Sequence, residues 1–96
     1  MSRKRIKFLV RRNLKLSAEK MAAQCVHAAL ALNKTIPLDA MQSVVVLQIS
    51  DKKFEEAKAE KPEHALIRDA GYTEVAPGTE TCMAFLEDDP RCQNYE

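Results

Sequence analysis

The sequence predicts one α/β domain in which helices cover a β-sheet. Apolar and β-branched runs typical of strands alternate with two segments of helical periodicity, an order that indicates strand, helix, strand, helix and two further strands. The chain has 96 residues, 46% of them hydrophobic, which suffices for one modest core. We therefore expect residues 1–96 to form a single domain without repeats or an internal linker.

The first half of the chain contains a strand followed by the long helix of the domain. The segment RIKFLV predicts the strand, and a polar connection leads to Ser17, a residue type that caps helix N-termini. Between Ala18 and about Asn33 neither proline nor glycine interrupts the chain. Apolar residues recur there at helical spacing and predict a face that packs on the sheet: Met21, Cys25, Ala28, Ala29 and Leu32.

The second half contains three strands and a shorter helix. SVVVLQI, residues 43–49, is a nearly continuous β-branched run, which is typical of a strand covered on both faces. DKKFEEAKAEK predicts a surface helix that turns Phe54 and Ala57 inward and ends at Pro62. HALIRD and ETCMAFLE predict the third and fourth strands, and the polar tail after them has no helical period.

The charge of the chain is distributed unevenly along its length. Residues 1–34 contain nine Lys and Arg against one Glu, a net charge of +8, whereas the remainder carries −7. A basic half of this density fits binding to a polyanion such as RNA, and it also fits a solvated basic arm. No apolar run is long enough for a membrane span or a secretory signal, so we expect a cytoplasmic protein without a membrane partner.

The cysteines argue against a disulfide framework and against a zinc site. Cys25, Cys82 and Cys92 are odd in number and form no CxxC pair. We expect reduced thiols and neither metal nor cofactor.

Polar side chains that are suited to catalysis or binding cluster in two places. The early turns of the long helix place Lys20, Gln24 and His27 in one stripe at i, i+4 and i+7. The loop RDAGYTEVAPGT then follows the third strand and holds both glycines of the chain. Ligands of open α/β sheets collect beyond the carboxyl ends of the strands, where these two features are expected.

The glycine-containing loop predicts a fold over an aspartate. Gly71 can adopt a positive φ, and the Pro77-Gly78 turn brings Thr79 and Thr81 back towards Asp69. A carboxylate beside hydroxyls suits the orientation of a water that attacks a carbonyl, and a lysine nearby can hold phosphate or stabilise an oxyanion. The alternative is structural: Asp69 caps a turn together with Thr73, and His27 is a surface histidine.

Two segments of the chain together resemble one known family. They are RRNLKLSAEKMAAQCVHAAL and, later in the chain, ALIRDAGYTEVAPGTETCMAF. The family that they resemble is the type II, archaeal and eukaryotic, peptidyl-tRNA hydrolase family. The family pattern is an NLK-M/L-S approach to a helix with K-x-AAQ-x-x-HA, and later RDAG-x-T-x-x-x-PGT-x-T; the match extends from residue 5 to residue 86. The resemblance implies a mixed four-stranded sheet sandwiched between helices, a three-layer α/β/α fold. It also implies hydrolysis of the ester that joins a peptide to the 3′ end of tRNA, without a metal.

The family motif assigns four catalytic residues: Lys20, Asp69, Thr73 and Thr81. In the implied mechanism Asp69 orients or deprotonates a water, the hydroxyls of Thr73 and Thr81 position the water or the oxyanion, and Lys20 holds the acceptor end. The motif, the loop and the basic segment before the helix together give the expected substrate-binding residues: Gln24, His27, Arg11, Lys15, Gly71 and Thr79.

The sequence departs from the family pattern in two places. Ala18-Glu19 stands where the family usually has a lysine, often followed by glycine, and FLEDDPRCQNYE replaces a GP segment and a C-terminal helix. Two alternatives therefore stay open: a catalytically impaired relative that binds RNA or a protein, and a hydrolase of another acyl substrate. The shorter ending also predicts a homodimer that buries apolar sheet residues from 44–49 and 83–86.

Overall fold

The computed structural model describes residues 4–61, 63–69 and 74–89. All six predicted elements are present in the predicted order. They are the strands β1 (Lys4–Arg11), β2 (Val44–Ile49), β3 (Ala65–Arg68) and β4 (Glu80–Asp88), and the helices α1 (Ala18–Asn33) and α2 (Asp51–Glu60). A short 3-10 helix, Arg12–Leu14, lies in the connection between β1 and α1 and was not predicted.

The four strands form one mixed sheet in the order β2-β1-β4-β3. β1 pairs with β2 in parallel, and β4 is antiparallel to both of its neighbours, β1 and β3. The strands β1, β2 and β3 therefore run in one direction, so their carboxyl ends meet at the same edge of the sheet. β4 begins at that edge, and so does α1, which follows β1.

One helix covers each face of the sheet. On one side α1 contributes Ala28 and Leu32 to a core that includes Phe8 and Cys82, and on the other side Phe54 of α2 joins a second core cluster. Alternate residues of β1 and β4 enter the two clusters because successive side chains of a strand point to opposite faces. This arrangement confirms the predicted three-layer α/β/α fold.

Local sequence accounts for where α1 begins and which face it buries. The Ser17 hydroxyl accepts a hydrogen bond from the backbone N–H of Lys20, which satisfies one of the unpaired donors at the helix start. Ala28 and Leu32 are buried, and the other members of the predicted apolar face are partly buried against the same cluster. The predicted helix cap and apolar face are both confirmed.

Two predictions about the apolar surface are wrong. β2 is not covered on both faces: it is an edge strand with β1 as its neighbour, and Val44, Val46 and Leu47 are 55%, 47% and 41% exposed. Residues 83–86 do not supply exposed apolar surface. Met83 and Phe85 are buried because β4 is a central strand and α2 packs over it through Phe54.

Candidate active site

Four of the predicted site residues lie together at the edge of the sheet where the parallel strands end. Lys20 and Gln24 are one turn apart near the start of α1, Asp69 directly follows β3, and Thr81 is the second residue of β4. Gln24, Asp69 and Thr81 are buried. The topology explains the cluster, since the start of α1, the end of β3 and the start of β4 all lie at this edge.

An ion pair forms the centre of the cluster. The Lys20 Nζ atom lies 2.7 Å from the Asp69 Oδ1 atom, and the two side chains are only 14% and 6% exposed. A charge pair that is largely removed from water interacts strongly, and removal of one partner leaves the other charge uncompensated. The ammonium group therefore holds the carboxylate in one position beside α1.

Gln24 connects this ion pair to Thr81. Its Nε2 atom donates to Asp69 Oδ1 at 3.1 Å, and its Oε1 atom accepts from the Thr81 hydroxyl at 2.8 Å. Because a carboxylate can only accept hydrogen bonds, the amide nitrogen must face Asp69 and the amide oxygen must face Thr81. The Thr81 proton is thereby directed to Gln24. The three side chains are joined by two successive hydrogen bonds, the second of which ends on the carboxylate.

A β-bulge directs Thr81 towards α1. Ile67 lies opposite Cys82 and Arg68 lies opposite Glu80, so Thr81 is an additional residue of β4 without a partner in β3. Cys82 packs in the core cluster beneath α1, and the Thr81 hydroxyl contacts the same helix. Two successive strand residues can face one side only where the alternation is broken, which is what a bulge does.

A tight turn holds the backbone of Asp69. Its N–H donates to the Thr79 carbonyl at 2.8 Å, and its carbonyl accepts from the Gly78 N–H at 2.7 Å. Gly78 has a φ of +81°, the left-handed conformation that glycine adopts without strain. The Thr79 hydroxyl donates to the carbonyl of Ala76 at 2.7 Å and so stabilises the same turn. The prediction that the turn at Gly78 folds over the aspartate is confirmed.

Glu74 ties the loop to the start of α1, a contact that sequence reasoning missed. Its carboxylate accepts from the Ser17 hydroxyl at 2.6 Å and from the Ser17 N–H at 2.9 Å. These hydrogen bonds hold the pKa of Glu74 below its ordinary value. Because the two residues are far apart in the chain, local sequence carries no signal for this contact.

The remaining predicted site residues differ in where they lie. His27 lines the same groove as Lys20 and Asp69, two helical turns from Lys20. Lys15 is exposed, with a φ of 51°, and does not line the groove. Gly71 and Thr73 lie outside the described residues.

Arg11 belongs to the other side of the sheet. Its Nε atom lies 3.0 Å from Asp51 Oδ1, and its Nη1 atom donates to the Glu80 carbonyl at 2.8 Å. The hydrogen bond from Arg11 lowers the pKa of Asp51. The charge of Arg11 is thus offset by the first residue of α2, and its role in substrate binding stays a prediction.

Neither a metal-ion cluster nor a membrane-spanning helix occurs among the residues that the structure describes. No group of three or more His, Cys, Asp and Glu side chains is arranged to hold a metal ion there. No helix in that part of the chain has the length and apolarity to cross a membrane. Cys25 and Cys82 are not joined in a disulfide, and Cys92 lies outside the described residues.

Comparison with known proteins gives one consistent result. The family model described as "Peptidyl-tRNA hydrolase PTH2" matches residues 5–91. A protein of Thermococcus onnurineus (strain NA1) named "Peptidyl-tRNA hydrolase" is 40% identical to this chain. The alignment covers 79% of this chain and 77% of that protein. Proteins of the same name are 40% identical in Methanopyrus kandleri (80% and 78% covered) and 33% identical in Haloquadratum walsbyi (83% and 82% covered).

Proposed function

The chain belongs to the PTH2 family of peptidyl-tRNA hydrolases, and on this premise we propose that it hydrolyses the ester bond of peptidyl-tRNA, releasing the peptide and free tRNA. The observation that carries the proposal is the buried ion pair of Lys20 and Asp69, which borders an open groove and is oriented by Gln24. Ester hydrolysis needs a group that orients water and a group that stabilises negative charge, and this pair provides both.

Asp69 orients the attacking water and accepts its proton. The water oxygen then bonds to the ester carbonyl carbon, and the carbonyl oxygen becomes an oxyanion. When the tetrahedral intermediate collapses, the bond to the 3′ oxygen of tRNA breaks, and the proton held on Asp69 passes to this leaving oxygen. The products are a peptide with a free carboxyl group and a tRNA with a free hydroxyl group.

Lys20 supplies the positive charge of the site. Its ammonium group has three N–H donors, and the contact with Asp69 uses one of them. The other two can donate to the oxyanion or to the acceptor end of tRNA. We propose on this basis that the reaction needs no metal ion. Turnover that is unchanged by a chelator such as EDTA supports this step, and loss of turnover that Mg²⁺ restores contradicts it.

Gln24 and Thr81 act on the substrate through Asp69. Thr81 is fully buried and gives its proton to Gln24, so we assign it to the positioning of the carboxylate rather than to contact with the water. Thr73, which the family motif pairs with Asp69, remains our proposal for the hydroxyl that positions the water or the oxyanion. His27 is proposed to border the bound substrate in the groove.

The proposal is tested by single-turnover hydrolysis of a peptidyl-tRNA. We expect Asp69→Asn to lower the rate about 100-fold or more, the usual contribution of a general base, with an unchanged circular dichroism spectrum. Asp88→Asn is the matched control, because Asp88 also pairs with a lysine, Lys4, but on the exposed surface. A rate unchanged by Asp69→Asn contradicts the mechanism.

A catalytically impaired relative that binds RNA or a protein is the alternative function. It is favoured by one residue, Ala18, which is exposed at the start of α1 where the family usually has a lysine. Absence of wild-type turnover together with tRNA binding would support this alternative. Turnover gained by Ala18→Lys would assign the impairment to the missing cation.

We also propose that the protein forms a homodimer and acts in the cytoplasm, where translation takes place. The support for the dimer is the exposed apolar surface of β2, formed by Val44, Val46 and Leu47. Sedimentation at micromolar concentration is expected to show a dimer that Val46→Asp dissociates, and a monomeric wild type contradicts the proposal. Cell fractionation tests the localisation.

A further inference from the structure

A groove leads away from the proposed catalytic residues along α1. It has a volume of about 810 Å³, and its wall along α1 extends from Lys20 to Lys34, the residue that follows the helix. The fourteen steps from Lys20 to Lys34 correspond to about 21 Å at a rise of about 1.5 Å per residue. The opposite wall is β3, and Asp69 follows that strand directly. The groove is therefore long enough to hold several residues of an extended chain.

The groove follows the outer edge of β3 rather than one of its faces. Ile67 packs with the core cluster beneath α1 and Leu66 packs with the cluster beneath α2, yet both residues line the groove. Among the residues that the structure describes, β3 pairs with β4 and with no other strand. An edge strand presents main-chain N–H and C=O groups to which another extended chain can pair.

We propose that the peptide part of the substrate binds as an additional strand on this edge of β3, with its ester placed at Asp69. This inference rests on the proposed function, since it specifies how the same site holds its substrate. The ester is at the carboxyl end of the peptide and Asp69 is at the carboxyl end of β3, so the peptide runs parallel to the strand. The four residues of β3 accommodate about four peptide residues.

The groove is better suited to the peptide than to the tRNA. Between its ends α1 contributes Ala23, Leu30 and Ala31, and Leu30 is an exposed apolar side chain. Arg68, which also lines the groove, is paired with Glu80 and so faces a carboxylate rather than a phosphate. Main-chain pairing also suits a substrate whose peptide sequence varies, because it depends little on side chains.

The length of the peptide provides the first test. KM is measured for N-acetyl-aminoacyl-tRNA and for tRNA esters of N-acetylated peptides of four and six alanines. We expect KM to fall about tenfold between one and four residues and to change little between four and six. N-methylation of the second and third residues from the ester, which removes N–H donors, is expected to reverse the gain.

A pair of exposed residues on α1 provides the second test. Leu30→Glu places a charge in the groove, whereas Val26→Glu is a matched control, because Val26 is 57% exposed on the same helix and does not line the groove. Leu30→Glu is expected to raise KM for the four-residue substrate about tenfold and to leave that of the one-residue substrate unchanged. Val26→Glu is expected to change neither KM.

The outcomes separate this inference from the proposed function. If the one-residue substrate is hydrolysed and KM does not change with peptide length, the inference is overturned and the proposed function stays intact. If Leu30→Glu raises KM equally for both substrates, the tRNA end lies in the groove, which also overturns the inference. No hydrolysis of any substrate contradicts the proposed function itself.

Discussion

The ion pair between Lys20 and Asp69 predicts that stability and activity respond differently to single and double substitutions. Asp69→Asn keeps the shape and one acceptor oxygen but removes the negative charge, which leaves the ammonium group uncompensated at a site where it is 14% exposed. Lys20→Met leaves the carboxylate uncompensated in the same way. The double variant removes both charges and keeps the side-chain volumes nearly constant.

The burial of the pair sets the expected magnitudes. Removal of one partner of a buried pair costs about 3–5 kcal/mol, and access of water to Lys20 reduces this to about 2–3 kcal/mol. In a domain of this size such a loss lowers Tm by about 8–24 °C. Replacement of both partners by neutral groups is often nearly neutral for stability, so we expect the double variant to recover at least half of the loss.

Turnover, unlike stability, is not expected to recover in the double variant. If Asp69 orients the water and Lys20 stabilises the oxyanion, the double variant stays at least about 100-fold less active although its stability recovers. The assay combines thermal unfolding with single-turnover hydrolysis of one peptidyl-tRNA. The control is Arg5→Met, which breaks the partly buried pair with Glu87 at 2.5 Å and is expected to lower Tm without changing the rate.

Two results would refute this reasoning. If stability losses of the single variants simply add in the double variant, the two charges do not compensate each other. If turnover recovers together with stability, the pair is structural and the reacting groups lie elsewhere.

Three further predictions concern other parts of the structure. Thr81→Val leaves a buried amide oxygen without its donor, so we expect a loss of about 1–3 kcal/mol of stability and a lower kcat at unchanged KM, which Thr81→Ser restores. Lys15→Glu is expected to weaken tRNA binding and reduce its salt dependence in a filter-binding assay, whereas Lys52→Glu in the acidic part of the chain does neither. The hydrogen bond from Lys58 lowers the pKa of Glu80 from its ordinary value of 4.5, so its contribution to stability is complete above that pH and is lost as the pH falls through the lower, folded-state pKa. Glu80→Gln should therefore reduce the decline of Tm with acid, and an equally steep decline would contradict this assignment.

The order and type of the elements could be predicted from the sequence because they depend on local patterns. The apolar period of α1 and its Ser17 cap record which side of one helix is buried and where that helix begins. The loop with Asp69 and Gly78 could be predicted for the same reason, because a left-handed turn residue and the residues that it brings together are close in the chain.

The burial of the strands could not be predicted from local patterns. The β-branched run of β2 is compatible with a central strand, yet β2 lies at the edge of the sheet and is exposed, while β4 is central and buried. A strand's sequence records its preference for the extended conformation, but its neighbours are chosen by pairing between distant segments. Strand order is therefore a property of the whole chain.

The chemistry of the site depended most on tertiary structure. The sequence placed Lys20, Gln24 and His27 in one polar stripe, but the folded chain buries Gln24 between Asp69 and Thr81 and leaves His27 exposed. The bulge that turns Thr81 towards α1 arises from the register between β3 and β4, which no local pattern encodes. Residue types alone identify the groups that can react. Their hydrogen-bond partners are decided only when α1, β3 and β4 meet, because each partner comes from a different element.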